Sequence, residues 1–177
     1  MQLLRRLADT TLWVLAAVGL VCGLIWGATA LGFIKPLIVI SGSMEPGIMT
    51  GDLIVDVPVK TADLEVGDVV SLPSDVTHNL VTHRIETFVA LGDGRFQISM
   101  KGDNNEASDA LDYFVGEQVW QPALQLSGWG TTVQRLTTPA VALPLVIGLV
   151  ALLGITLLLP APARRRPAAA TAQPVLP

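Results

Sequence analysis

Two long stretches without a single charged side chain constrain this chain more than any other feature: residues 10–34, between Asp9 and Lys35, and residues 136–163, between Arg135 and Arg164. A helix that is apolar all round needs lipid, or the centre of a large protein, to cover it. With 177 residues, 51% of them apolar and 15% charged, the chain is too small to supply such a centre twice. The apolar core of the second run is 139–159, whose 21 residues make about 30 Å of helix at roughly 1.5 Å per residue. The sequence therefore predicts transmembrane helices over 10–34 and 139–159, a short segment 1–9 before the first, and one domain of 104 residues, 35–138, between them. Residues 160–177 are rich in Ala and Pro and predict a disordered tail.

Arg5 and Arg6 precede the first run, and Arg164, Arg165 and Arg166 follow the second, which places both termini in the cytoplasm and the domain outside. Trp13, Trp26 and Trp129 stand where aromatic anchors sit at membrane surfaces. Arg5-Arg6, the apolar stretch from Leu12 and Ala28-Thr29-Ala30 also match a cleavable leader, for which a mature start at Leu31 would be the mark. Against that, the uncharged run extends to Ile34, well past a leader's usual apolar core.

Composition also excludes functions. The domain carries 6 Lys/Arg against 14 Asp/Glu, a net charge of −8, which repels nucleic acid. One cysteine, Cys22, and two histidines cannot form an intrachain disulfide or the usual zinc site, and no metal or other cofactor is expected.

Runs rich in Val, Ile, Leu and aromatics at 37–41, 52–57, 68–72, 80–90, 95–101 and 115–120 are bounded by Gly, Pro, Asp or Asn and predict short strands. Gly92-Asp93-Gly94 separates two of them as a hairpin turn would. The expected fold is a mainly-β domain, an antiparallel barrel or sandwich, anchored by the two flanking transmembrane helices. In the 80–90 strand, alternation puts Val81, His83, Ile85 and Thr87 on one face, and Thr82, Arg84 and Glu86 on the other. His83 thus shares an apolar face, while His78 falls in a loop.

The densest chemical signal is Ser41-Gly42-Ser43-Met44-Glu45-Pro46, which begins directly after a predicted strand. Ser43 lies eight residues past Lys35, at most about 26 Å along extended chain from the membrane edge. Further on come Gly51-Asp52-Leu53-Ile54-Val55, Thr82-His83-Arg84, and Lys101-Gly102-Asp103-Asn104-Asn105 with Asp109. A serine hydroxyl becomes a nucleophile only beside a base, and an imidazole serves best when a third group fixes its tautomer. Ser43, His83 and either Asp103 or Asp109 supply those three parts. Lys60 and Lys101 are the alternative bases. Lys60 lies in a polar stretch, where a solvated lysine titrates near about 10.4 and stays protonated, and Lys101 adjoins a turn carboxylate.

In order and spacing these motifs resemble the type I signal peptidase family, in its ER-type branch, where a histidine takes the place of the catalytic lysine. The resemblance covers about residues 5–120 and implies a membrane-bound serine endopeptidase that removes signal peptides from exported preproteins at the outer membrane face. It implies Ser43 as nucleophile, His83 as general base, Asp109 as the group orienting His83, and Asp103 in support. The Ser43 N–H, aided by Ser41, would stabilise the oxyanion. It further implies small apolar substrate residues at −1 and −3, and as partners signal peptides and the bilayer, naming no accessory subunit. One departure is visible: the Asp-Arg pair common in the family reads Asp109-Ala110 here. The rival reading is a catalytically silent, membrane-anchored β module that binds a partner or exported protein. The distance between Ser43 and His83 separates the two.

Overall fold

The computed structural model describes residues 2–76 and 78–158. The tail expected over 160–177, with Arg164 to Arg166, and residue 159 of the second predicted span lie outside the described residues. Helix α1, Gln2–Ala30, includes Thr10–Ala30, 21 residues without burial against the rest of the protein and long and apolar enough to cross a membrane. It ends in a Schellman cap: Gly32, with φ of 75°, lets Phe33 N–H bond to Ala28 O (2.9 Å) and its own N–H to Thr29 O (3.1 Å). Helices α2, Trp129–Thr137, and α3, Pro139–Leu158, close the described chain. Among the described residues they count as a second crossing only if α2 and Pro139–Ala151 form one broken span.

Between these helices lie seven strands: β1 Lys35–Ile38, β2 Leu53–Lys60, β3 Val69–Pro73, β4 Leu80–Gly92, β5 Arg95–Lys101, β6 Tyr113–Val115 and β7 Gln118–Leu126. They form one antiparallel sheet in the order β1-β2-β7-β3-β4-β5-β6. A single curled sheet is the half-barrel form of the expected architecture, not the two-sheet sandwich. Leu64, Val70, Leu72, Ile85, Ile98, Met100 and Val119 form its buried hydrophobic core. Gly92, Asp93 and Gly94 all adopt positive φ in the β4–β5 turn, as the hairpin reading requires.

Two details depart from the sequence reading. The run 115–120 is not one strand, because Gly116-Glu117 breaks it into the end of β6 and the start of β7. Thr87 is exposed and does not join His83 and Ile85 on the inner face, because the β4–β5 register shifts between Ile85 and Thr87.

Two buried carboxylates have opposite surroundings. Asp52 accepts from the N–H of Met49 (3.0 Å), the N–H of Gly128 (2.8 Å) and Gln125 Nε2 (2.7 Å), and the Gly128 bond leads in holding its pKa below the ordinary value. It ties the loop after β1 to the end of β7. Asp56, fully buried on β2, has no hydrogen bond to either carboxylate oxygen. Burial pushes its pKa up, against the pull of nearby Ser71 and the Lys35 charge. Ser71 Oγ and Thr82 Oγ1 share a hydrogen bond at 2.7 Å, and the Lys35 ammonium sits over the Trp120 ring at 4.6 Å.

An acid whose folded pKa is raised costs stability as pH climbs from its unfolded value, about 3.9, towards the folded one, and imposes no such cost below that range. Asp56→Asn is therefore expected to stabilise the protein at pH 7 by about 1 kcal/mol or more, a gain of a few degrees in Tm. The gain should vanish at pH 3, and thermal unfolding in detergent at the two pH values checks both signs.

Candidate active site

A flat sheet would hold β1 and β4, four strand spacings apart, at about 19 Å. The curl brings the end of β1 back over β4. After Ile38 the chain keeps pairing with the start of β2, Val39 N–H to Asp52 O (2.9 Å) and Gly51 N–H to Val39 O (2.8 Å), and the loop between carries Ser41 to Pro46. Buried Met44 anchors that loop from below, and its carbonyl accepts the Ile48 N–H at 2.9 Å.

The turn after β5 clamps the same loop from the other side. Asn104 donates its N–H to Ser43 O (2.8 Å) and its side-chain Nδ2 to Gly42 O (3.1 Å). Gly102 permits this approach, since a Cβ there would stand 2.5 Å from Ser43 O. Both carbonyls flanking the Ser43 peptide are thereby pinned. Asn104 was visible in the sequence as part of a motif, but only the fold reveals what it holds.

His83 projects from β4 into this corner, 7% exposed. Its Nε2 lies 3.0 Å from Ser43 Oγ, and its Nδ1 lies 2.8 and 2.9 Å from the two carboxylate oxygens of Asp109. Backbone pairing of Asp109 N–H with Met100 O (2.9 Å) fixes the chain there. Tyr113 Oη donates to Asp109 Oδ2 at 2.9 Å, a contact the sequence reading missed although this is the chain's only tyrosine. Ser41 Oγ is 3.3 Å from Ser43 Oγ.

Asp103 is placed differently. It takes a bidentate pair from Arg84, Nε to Oδ1 at 2.8 Å and Nη2 to Oδ2 at 2.6 Å, while Arg84 Nη1 donates to Gly67 O at 2.7 Å. The guanidinium bonds lower the Asp103 pKa. The structure thus brings Ser43, His83 and Asp109 into one hydrogen-bonded chain, with Ser41 at its end, and sets Asp103 beside it on an arginine.

Ser43 and His83 form part of the wall of a groove of about 1110 Å³. Leu37, Val39, Ile48, Ile54, Leu80 and Val81 supply apolar lining. Chemically, the arrangement sets a serine hydroxyl against an imidazole nitrogen in the wall of a groove with a partly apolar lining. Among the described residues, no three His, Cys, Asp or Glu side chains form a metal cluster.

No family model matches the chain. Among curated proteins, it is 41% identical over 73 residues to signal peptidase I W of Bacillus subtilis (strain 168), covering 41% of this chain and 37% of that protein. It is 32% identical over 82 residues to the signal peptidase complex catalytic subunit sec11 of Dictyostelium discoideum, covering 46% of this chain and 45% of that protein. Over these stretches the chain is similar to signal peptidases. It spans less than half the length of each of these signal peptidase relatives. The described half-barrel with one N-terminal apolar helix fits that relationship.

Proposed function

We propose that this protein is a membrane-anchored serine endopeptidase that removes signal peptides from exported preproteins. The observation that carries the reading is the continuous chain Ser43, His83, Asp109 opening on an apolar groove. A β module that only binds has no need for those groups to converge, and the 3.0 Å contact between Ser43 and His83 supports catalysis over binding.

In this reading Ser43 Oγ attacks the scissile carbonyl as His83 Nε2 takes its proton, while Asp109 accepts from Nδ1–H and keeps the imidazole in the required tautomer. His83 then returns the proton to the leaving amine, and water, activated by the same ring, releases the acyl group from Ser43. The N–H of Ser43 stabilises the oxyanion, helped by Ser41, and Asn104 holds that peptide unit rigid. Arg84 and Asp103 brace the Asn104 turn.

Location supports the substrate. α1 serves as a membrane anchor, and β1 begins five residues after it ends. A signal peptide keeps its apolar core in lipid and presents its cleavage site near the surface, where Ser43 waits. The groove would take the small side chains at −1 and −3. The remaining topology belongs to the same proposal: a second span over 139–159, both termini cytoplasmic, and the domain 35–138 on the outer face.

Incubating the detergent-purified full chain with a labelled preprotein, then sequencing the product, tests the activity. One new N-terminus at the end of the leader is the expected result. An uncut preprotein in the presence of folded protein would overturn the proposal.

A further inference from the structure

Asp109 must present its carboxylate edge to His83 Nδ1, yet it stands in the connection between β5 and β6 with an alanine, Ala110, after it. Its salt bridge is with His83 itself, and Arg84, the cation next to His83 in sequence, is committed to Asp103. The Asp109 N–H bond to Met100 O fixes the main chain but leaves rotation about the side-chain bonds open.

Tyr113 closes that freedom. Its phenol donates to Asp109 Oδ2 at 2.9 Å while Oδ1 meets Nδ1 at 2.8 Å, so the carboxylate is held at two points. The tyrosine is itself well fixed: Tyr113 pairs with Ile98 in the sheet, and its side chain packs against the core. Burial first, then Asp109, pushes the phenol pKa up to about 12, so it stays a donor throughout the neutral range.

We propose that Tyr113 is a positioning residue for the reaction, holding Asp109 in the plane from which it orients His83. The inference rests on the endopeptidase reading. It adds a second rank behind the triad, in which a neutral phenol does the holding.

The test is Tyr113→Phe in the full chain in detergent, a change that keeps the packed ring and deletes only the hydroxyl. Expected are a kcat on the labelled preprotein lower by roughly tenfold to a hundredfold, KM within about twofold, and an acid limb of kcat/KM displaced to lower pH as the imidazolium loses its carboxylate. In parallel, the proton resonance of His83 Nδ1–H should move upfield or be lost to exchange. With two histidines in the chain, His78→Gln assigns it without ambiguity. Unchanged kinetics and resonance, or a lowered Tm alone, would overturn the positioning role. So would a limb displaced to higher pH, which would mean that the phenol only draws charge from Asp109. Should the parent protein cut no preprotein, the endopeptidase reading fails, and the resonance decides the role of Tyr113 by itself.

Discussion

Ser43→Ala is expected to lower kcat on a preprotein by about a millionfold, and His83→Ala to lower it as far, with the double variant no worse than either single one. The reason is that the two groups act as one unit. Without the imidazole the hydroxyl keeps its proton, and without the hydroxyl the imidazole has nothing to activate. Each therefore already removes what the other would. Residual cleavage of roughly 10³ to 10⁴ over the uncatalysed rate would come from the Ser43 peptide N–H and from binding in the groove. Ser43 is half-buried at a loop surface, so the Ala variant leaves the core intact, and its Tm should stay within a few degrees of the parent. His83 is more deeply placed and loses two hydrogen bonds, so its variant is to be compared at a temperature where folding is confirmed by near-UV circular dichroism. Single-turnover cleavage measures both. Additive losses in the double variant would show two independent contributions and would refute the coupled pair.

Much of this architecture was legible before any coordinates, for identifiable reasons. The long uncharged run of α1 reads as a helix because its length exceeds what a small core can cover. The β4–β5 hairpin was legible because Gly-Asp-Gly tolerates the left-handed backbone of a tight turn. What escaped was set by tertiary geometry. The curl that joins residues of β1 and β4 has no local signature, since it accumulates over the whole sheet. The bulge that turns Thr87 outward depends on pairing with β5, and the burial of Asp56 depends on the strands on either side of β2. Asp103 and Asp109 follow the end of β5 by two and eight residues, so spacing left both within reach of His83. Their partners separate them: one chelated by Arg84, the other facing Nδ1.

That separation gives the second large effect, because exchanging each aspartate for asparagine should have opposite consequences. Asp109→Asn keeps the shape of the side chain but offers an N–H where His83 Nδ1 needs an acceptor, favouring the tautomer that carries its proton on Nε2 and cannot deprotonate Ser43. A loss of about 10⁴ in kcat follows, with KM little changed. Asp103→Asn breaks a partly exposed ion pair with Arg84 and should cost at most about 1 kcal/mol of stability and under about tenfold in kcat. The Asp103 carboxyl is held below its ordinary pKa by Arg84, so its contribution to stability is present above the unfolded value of about 3.9 and fades as pH falls through the lower folded value. The Tm difference between Asp103→Asn and the parent should therefore be full at pH 7 and shrink in acid, the reverse of the parent's difficulty with Asp56. If Asp103→Asn lost the 10⁴ and Asp109→Asn did not, His83 would have to turn towards Asp103 when substrate binds, and the orienting role would pass to the residue on the arginine.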